Sequence, residues 1–234
     1  ADFIKVIATG AVLTEGTVPS APEFSEAEIR AAVEEAALYE THVAAHAHGA
    51  EGIKRAVRAG VRSIEHGSLM DDESIALMAE HGTFLVADIW MGDWSIEQGE
   101  REGWSPNVMR KLRETTDVQR EGFAKAVEAG VRIAFGTDSG TYPHGMNGHQ
   151  FATMVNSGLP ILRAVAILAE QSSNKELARV LNEARLDVEQ GSSLSGALAK
   201  HDHVFNNLYL SMVRSGETGG SLDTTLIALA DMIE

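Results

Sequence analysis

The chain contains no cysteine. Neither a disulfide framework nor a thiolate metal site can therefore exist, and any metal must be held by nitrogen and oxygen ligands. No apolar run approaches the roughly 18 residues of a membrane span, and Ala1 opens no signal-peptide pattern, so the chain reads as soluble and cytoplasmic. Positive charge is scarce. Against 34 Asp and Glu stand 19 Lys and Arg, a formal net charge of −15, which argues against a nucleic-acid backbone or an anionic membrane surface as partner. The G-x-G-x-x-G and Walker spacings of phosphate-binding loops are missing, leaving Gly10, Gly16 and Gly67 as turn residues. There is no initiator Met and an apolar run begins at Phe3, the pattern of an excerpt or a processed product.

What is present suffices for one large domain or two small ones: 234 residues, 44% of them hydrophobic. Histidine is unevenly spread, with seven of nine before residue 150. The same stretch has an internal repeat. AVRAGVRSIEHG at 56–67 returns as AVEAGVRIAFGTD at 126–138, and MAEHGTFLVADI at 78–89 is a looser copy. Each reads as helix end, glycine, strand, with Gly60, Gly82 and Gly130 at the left-handed position that closes a helix. Two further strands are expected in FIKVI at 3–7 and HVAAH at 42–46. Between them Ser25 and Glu28 predict a capping box for a helix over about 26–39, with Ile29, Ala32, Val33 and Ala36 on its apolar side. Helix followed by buried strand, repeated, means a parallel α/β sheet of five strands.

After residue 150 the strand signals stop. Leu177, Val180, Leu181, Ala184 and Val188 fall at helical spacing, as do Leu222, Leu226, Leu229 and Ile233. The expected architecture is an α/β, partial (β/α) TIM-type barrel over residues 1–150, followed by an all-α helical bundle over 151–234. No Pro- or Ser-rich linker separates them.

In parallel α/β folds reacting groups gather at the C-terminal ends of strands. His46 is expected to end strand HVAAH, His66 to end VRSIEH and Asp138 to end RIAFGTD, all facing one mouth. Lys5 lies within the first strand, where a cation in an apolar run needs a partner. Imidazoles and a carboxylate suit Zn, Mn, Fe or Ni. The alternative for His46 alone is a hydrogen-bonded core histidine. His144 and His149, in the loop TYPHGMNGHQ, either meet a substrate or decorate a polar loop. Trp90, Trp94 and Trp104 either line a pocket mouth or cover an edge. His201 and His203 are read as solvated residues at a helix end, and Glu28, Glu34 and Glu35 as a solvated helix face.

The stretches DFIKVIATGAVL, VAAHAHGAEGIKRAVRAGVRSIEHG and IAFGTDSG resemble strands four, five, six and eight of the metal-dependent amidohydrolase superfamily, in its dipeptidase-like and imidazolonepropionase-like branch. The likeness covers about residues 1–150. It implies a hydrolase of C–N bonds in amide or peptide-like substrates. Lys5 would be carboxylated and bridge two metals, His46 and His66 would hold one metal, and Asp138 would be both ligand and catalytic base. His48 is set aside because it lies beyond the expected strand end. His144 is the substrate-binding candidate. The first three strands of the family are absent, and with them a His-x-His pair, so the expectation is one ion, zinc, rather than two, and an impaired enzyme. Five strands leave two open edges, which predicts a homo-oligomer.

FATMVNSGLPILRAVAILAEQSSN through GSSLSGAL and SGETGGSLD resembles a different family: a cytoplasmic helical domain of the inner-membrane platform proteins of type II secretion and type IV pilus assembly. That likeness implies an interaction module whose partners are secretion or pilus assembly proteins. Two families meeting without a linker read as a chimera joined near FATMV, with loss of any native activity as a third reading.

Overall fold

The computed structural model describes residues 2–233. Two compact units are present, Ala1–Asp138 and Ser139–Glu234.

In the first unit, strands β1 (Ile4–Ile7), β2 (Val43–Gly49), β3 (Ser63–Leu69), β4 (Phe84–Val86) and β5 (Arg132–Ile133) form one sheet in sequential order. Every neighbouring pair is parallel. The five-strand α/β reading holds. The connecting helices are α1 (Glu26–Leu38), α2 (Ala50–Ala59), α3 (Asp72–His81), and, between β4 and β5, both α4 (Met91–Glu102) and α5 (Pro106–Glu128). Local chemistry explains their ends. Ser25 and Glu28 form the reciprocal capping box that starts α1. Gly60 and Gly82 close α2 and α3 at φ 96° and 65°, a region that penalises a Cβ. Ser105 caps α5, with proline following at its first position.

The sheet is most deeply buried at β2, all seven residues of which are buried. Ile64, Leu85 and Ile133 carry the core along the next strands, and Ile29, Ile53, Met78 and Phe123 cover it from the helices. Strand β1 behaves differently. Lys5 and Ile7 are exposed, Ile7 at 47%, so the cation expected to need a partner in an apolar run sits on an open face instead.

The second unit consists of α6 (Asn147–Asn156), α7 (Ile161–Gln171), α8 (Lys175–Glu189), α9 (Leu194–Leu198), a 3-10 turn (Ala199–His201), α10 (Asn207–Gly219) and α11 (Leu222–Ile233). Its largest core cluster draws Ala152, Ala184, Leu194, Ala197, Leu198, Leu210, Val213, Leu226 and Leu229 from five of these helices. A helical unit is what the spacing predicted; the side chain of Ile233 lies outside the described residues. Glu217 of α10 accepts the backbone N–H groups of Leu194 and Ser195 (2.9 Å for Ser195), satisfying the otherwise orphaned start of α9. His201 corrects the reading of a solvated pair: it is 7% exposed, with Nε2 3.7 Å from Glu183, while His203 is open and bonds Glu176.

No helix among the described residues is long and apolar enough to cross a membrane.

Candidate metal centre

Strand β2 carries the first half of the site. In a strand alternate residues share a face, so His46 and His48 point the same way, and the parallel register sets Lys5 beside Ala44 and Ile7 beside His46 on that face. The strand continues to Gly49. His46 therefore does not end it, and His48 lies inside it rather than beyond it. The apolar run looked finished at residue 46 because the second imidazole broke it, whereas the backbone pairing persists.

Strand β3 supplies the second half by an irregular route. Regular register pairs His46 with Glu65 and Ala47 with His66, which would turn His66 to the opposite face. The backbone avoids this. His66 has φ 72° and Gly67 φ 62°, and the β2–β3 register shifts between Ala47 and Gly49. Two consecutive left-handed residues rotate the His66 ring back toward β2. Its centroid lies 4.6 Å from that of His46 and 4.8 Å from that of His48. A non-glycine residue held at positive φ carries a backbone cost, and here that conformation brings three imidazoles together. One ring nitrogen from each lies within 4.8 Å of the others, and all three residues are buried.

Each ring is held by a partner. His66 Nδ1 is 3.0 Å from Asp88 Oδ2. Gln119 of α5 donates to both Asp88 Oδ1 (3.1 Å) and the His66 carbonyl (3.0 Å). His48 Nδ1 is 2.8 Å from Ser68 Oγ. The backbone of Gly10 engages the His46 ring, and His46 Nε2 is buried with no hydrogen-bond partner. The loop bearing Gly10 is itself pinned by Lys111 of α5, whose buried ammonium donates to the carbonyls of Ala11, Thr14 and Thr17.

The electrostatics favour neutral imidazoles on β2. Burial, with the neighbouring His66, lowers the His46 pKa to about 4, and burial with both neighbouring histidines holds His48 well below the usual histidine range. For His66 burial again opposes the charge, but the Asp88 carboxylate outweighs it and raises the pKa. Burial pushes Asp88 up, and His66 and Gln119 more than compensate, bringing it down to about 2.

The other expected residues are placed as follows. Asp138 lies beyond β5 rather than at its end, exposed and at φ 50°, with a carboxylate oxygen within 4.8 Å of ligand atoms of His66 and Asp88. Lys5 is on β1, and its charge lowers the proton affinity of both His46 and His66. His144 belongs to the second unit, exposed, with Nδ1 2.9 Å from Ser139 Oγ. Trp104 packs on Val12, Val108, Met109 and Leu112. Asp88, Gln119 and Ser68 were not singled out from sequence. Of these only Asp88, an acid directly after the apolar run TFLVA, carried a visible signal.

A buried imidazole nitrogen without a partner, two neighbouring rings fixed by their Nδ1 atoms, and an all N/O donor set fit a divalent ion.

Comparison with known proteins finds two families. The Type II secretion system (T2SS), protein F family model matches residues 149–234. PilC, a type IV pilus assembly protein of Thermus thermophilus, is 41% identical over 111 residues, covering 47% of this chain and 27% of PilC. The ochratoxinase of Aspergillus niger is 38% identical over 143 residues, covering 59% of this chain and 29% of the ochratoxinase. The crystal structure of a Xaa-Pro dipeptidase with bound methionine in the active site superposes with a TM-score of 0.68 at 41% identity, over 78% of this chain and 45% of the dipeptidase. The chain thus spans less than half the length of each. It carries sequence of two families, whose matches overlap at 149–185. The Amidohydrolase family model matches residues 1–185, most of the chain, and the protein belongs to that metal-dependent family.

Proposed function

We propose that the first unit holds one divalent ion, zinc, and that this centre serves hydrolysis of C–N bonds in amide or peptide-like substrates. The observation that carries the reading is the partnerless, buried His46 Nε2 beside His66, whose own Nδ1 is held by Asp88. A nitrogen left dry and unpaired costs about 1–3 kcal/mol, a penalty that coordination removes. By the family resemblance His46 and His66 hold the ion, with Lys5, carboxylated, and Asp138 completing its shell. When bound, the ion supplies Lewis acidity toward an amide carbonyl and toward water. Asp138, exposed and at φ 50°, would accept on a carboxylate oxygen the proton that water loses as its oxygen bonds to the amide carbon, and return it to the nitrogen as the C–N bond breaks. Asp88 and Gln119 fix the tautomer and orientation of His66. His144 is the residue proposed to meet substrate.

Metal analysis of the purified chain after zinc loading and gel filtration tests this. About one equivalent per chain is expected, reduced in His46→Ala and His66→Ala. A chain that retains no metal at neutral pH overturns the reading.

A second reading rests on the other match. Residues 149–234 are similar to protein F of type II secretion, and in that reading the second unit is an interaction module for secretion or pilus assembly proteins. Binding of purified PilC or of a secretion ATPase to the chain, abolished by substitutions confined to α10 and α11, would favour it.

A further inference from the structure

We infer that Lys111 is a positioning residue whose ammonium serves as a tethered monovalent cation. It sits in a cradle of three loop carbonyls, fixes the loop after β1 beside the histidines, and leaves a site for a free alkylammonium ion when its side chain is cut back. Its bearing on function rests on the reading of that mouth as a metal centre. Its geometry does not, so every measurement below is made on the metal-free chain.

Three observations converge. The first is a buried charge offset by dipoles alone. Lys111 is 3% exposed, and among the described residues no carboxylate forms an ion pair with it, whereas Lys54, also largely covered, pairs with Asp71 and Glu73. Burial and the Arg110 charge lower the Lys111 pKa, with Glu15 opposing, so the charged form needs compensation. Its Nζ donates to the carbonyls of Ala11 (3.0 Å), Thr14 (2.5 Å) and Thr17 (3.3 Å). An ammonium has three donors and no acceptor, and all three are used.

The second is that the acceptors come from one short loop that is shaped by its own contacts. Gly16, at φ 76°, turns the chain between Thr14 and Thr17. Thr17 Oγ1 accepts the Ala11 N–H (3.1 Å) and lies 2.8 and 3.0 Å from the carbonyl oxygens of Ala11 and Thr14. Backbone carbonyls converging on one point are the donor set that replaces the hydration shell of a monovalent cation.

The third is what the loop touches. A Cβ at Gly10 would lie 2.4 Å from the Val18 carbonyl oxygen, and one at Gly49 2.6 Å from the Ser20 Cα, so the loop is seated directly on the ends of β1 and β2. Gly10 engages the His46 ring. The loop and α5 also border a pocket of about 280 Å³, with Thr17 and Ser20 on one side and Arg110 and Glu114 on the other. Packing of Val12 on Val108, Met109 and Leu112 draws the same loop to α5. Apolar contact is not directional, whereas three hydrogen bonds to one ammonium select a single loop shape.

The experiment reads hydrogen exchange at the Gly10 and Ala11 amides, which donate to the Ala21 carbonyl and to Thr17 Oγ1. Lys111→Ala is expected to speed that exchange at least about 10-fold, and methylammonium chloride to bring it back to within about 3-fold of the parent. Tetramethylammonium chloride, which carries the charge but no N–H donor, should not. Lys111→Met fills the space of the stem without a charge and should show the same loss with no rescue. In the parent chain the Lys111 ammonium should give a slowly exchanging 15N resonance at neutral pH, a readout that needs no variant and decides the matter if Lys111→Ala fails to fold. Parent-like exchange in both variants would show that Val12 packing alone holds the loop. Rescue no better with methylammonium than with tetramethylammonium would show that bulk, not the cation, was lost. A parent ammonium exchanging as fast as a surface lysine would show that the cradle is not formed. Each of these overturns the inference, and none bears on zinc binding.

Discussion

The two units differ in what they bury. The largest core cluster of the second is aliphatic throughout, built from leucine, alanine and valine. The first also buries many polar groups, His46, His48, His66, Ser68, Asp88, Gln119 and Lys111 among them. Burying such groups costs free energy unless each is matched by a partner. In the first unit the matching is close to complete and ends at His46 Nε2. In the second, one carboxylate, that of Glu217, satisfies two backbone donors at a helix start, and the buried atom left without a partner is Arg185 Nε.

The comparison can be broken most forcefully at Phe123, fully buried in the first unit. Phe123→Ala is expected to destabilise that unit by about 3–5 kcal/mol. Trp90, Trp94 and Trp104 all lie in the first unit, so the loss is read from tryptophan fluorescence in a urea titration. A midpoint unchanged from the parent would show that Phe123 does not support the core.

Glu217→Ala probes the other side. Removal of its two acceptor contacts should cost about 2 kcal/mol locally and accelerate hydrogen exchange at the Leu194 and Ser195 amides. Zinc affinity should not change. Retained protection at both amides would mean that something other than Glu217 satisfies the start of α9.

The smallest effect is a matter of pH. In the folded, metal-free chain His46 has its pKa lowered from 6.5 to about 4, so between those values the unfolded chain binds more protons than the folded one. Stability contributed by the neutral ring is complete above 6.5, declines as pH falls toward 4, and levels off below. His48 acts in the same sense. His66, with its raised pKa, acts oppositely: its contribution is present below 6.5 and is lost as pH rises through the raised value. Urea midpoints between pH 7 and about 4.5 should fall more gently for His46→Gln than for the parent. Parallel slopes would refute the buried, neutral assignment of His46.

Much of the scaffold was legible beforehand. Strand and helix periods, the Ser25–Glu28 box and the helix-closing glycines are local signals, and each appears where those signals lie. Strand ends were less legible. His46 and His66 interrupt apolar runs without interrupting backbone pairing, which continues to Gly49 and Leu69. The shortfall had a consequence, because ending β2 at residue 46 removed His48 from view although it shares a face with His46. The exposure of Lys5 was also not legible. An apolar run in sequence implied that its cation needs a partner, but β1 is a sheet edge and Lys5 is exposed there, on the face it shares with His46.

The amino-acid order by itself determined the βα alternation, the helical second unit and the types of donor available, since these follow from spacing of two and 3.6 residues and from composition. Only the folded chain decided which donors meet. The turn of His66 to the face of His46 depends on two left-handed residues and a register shift between strands, and the hold on His66 depends on Asp88 and Gln119, brought across from β4's end and from α5. Those contacts join residues far apart along the chain, and no local pattern encodes them.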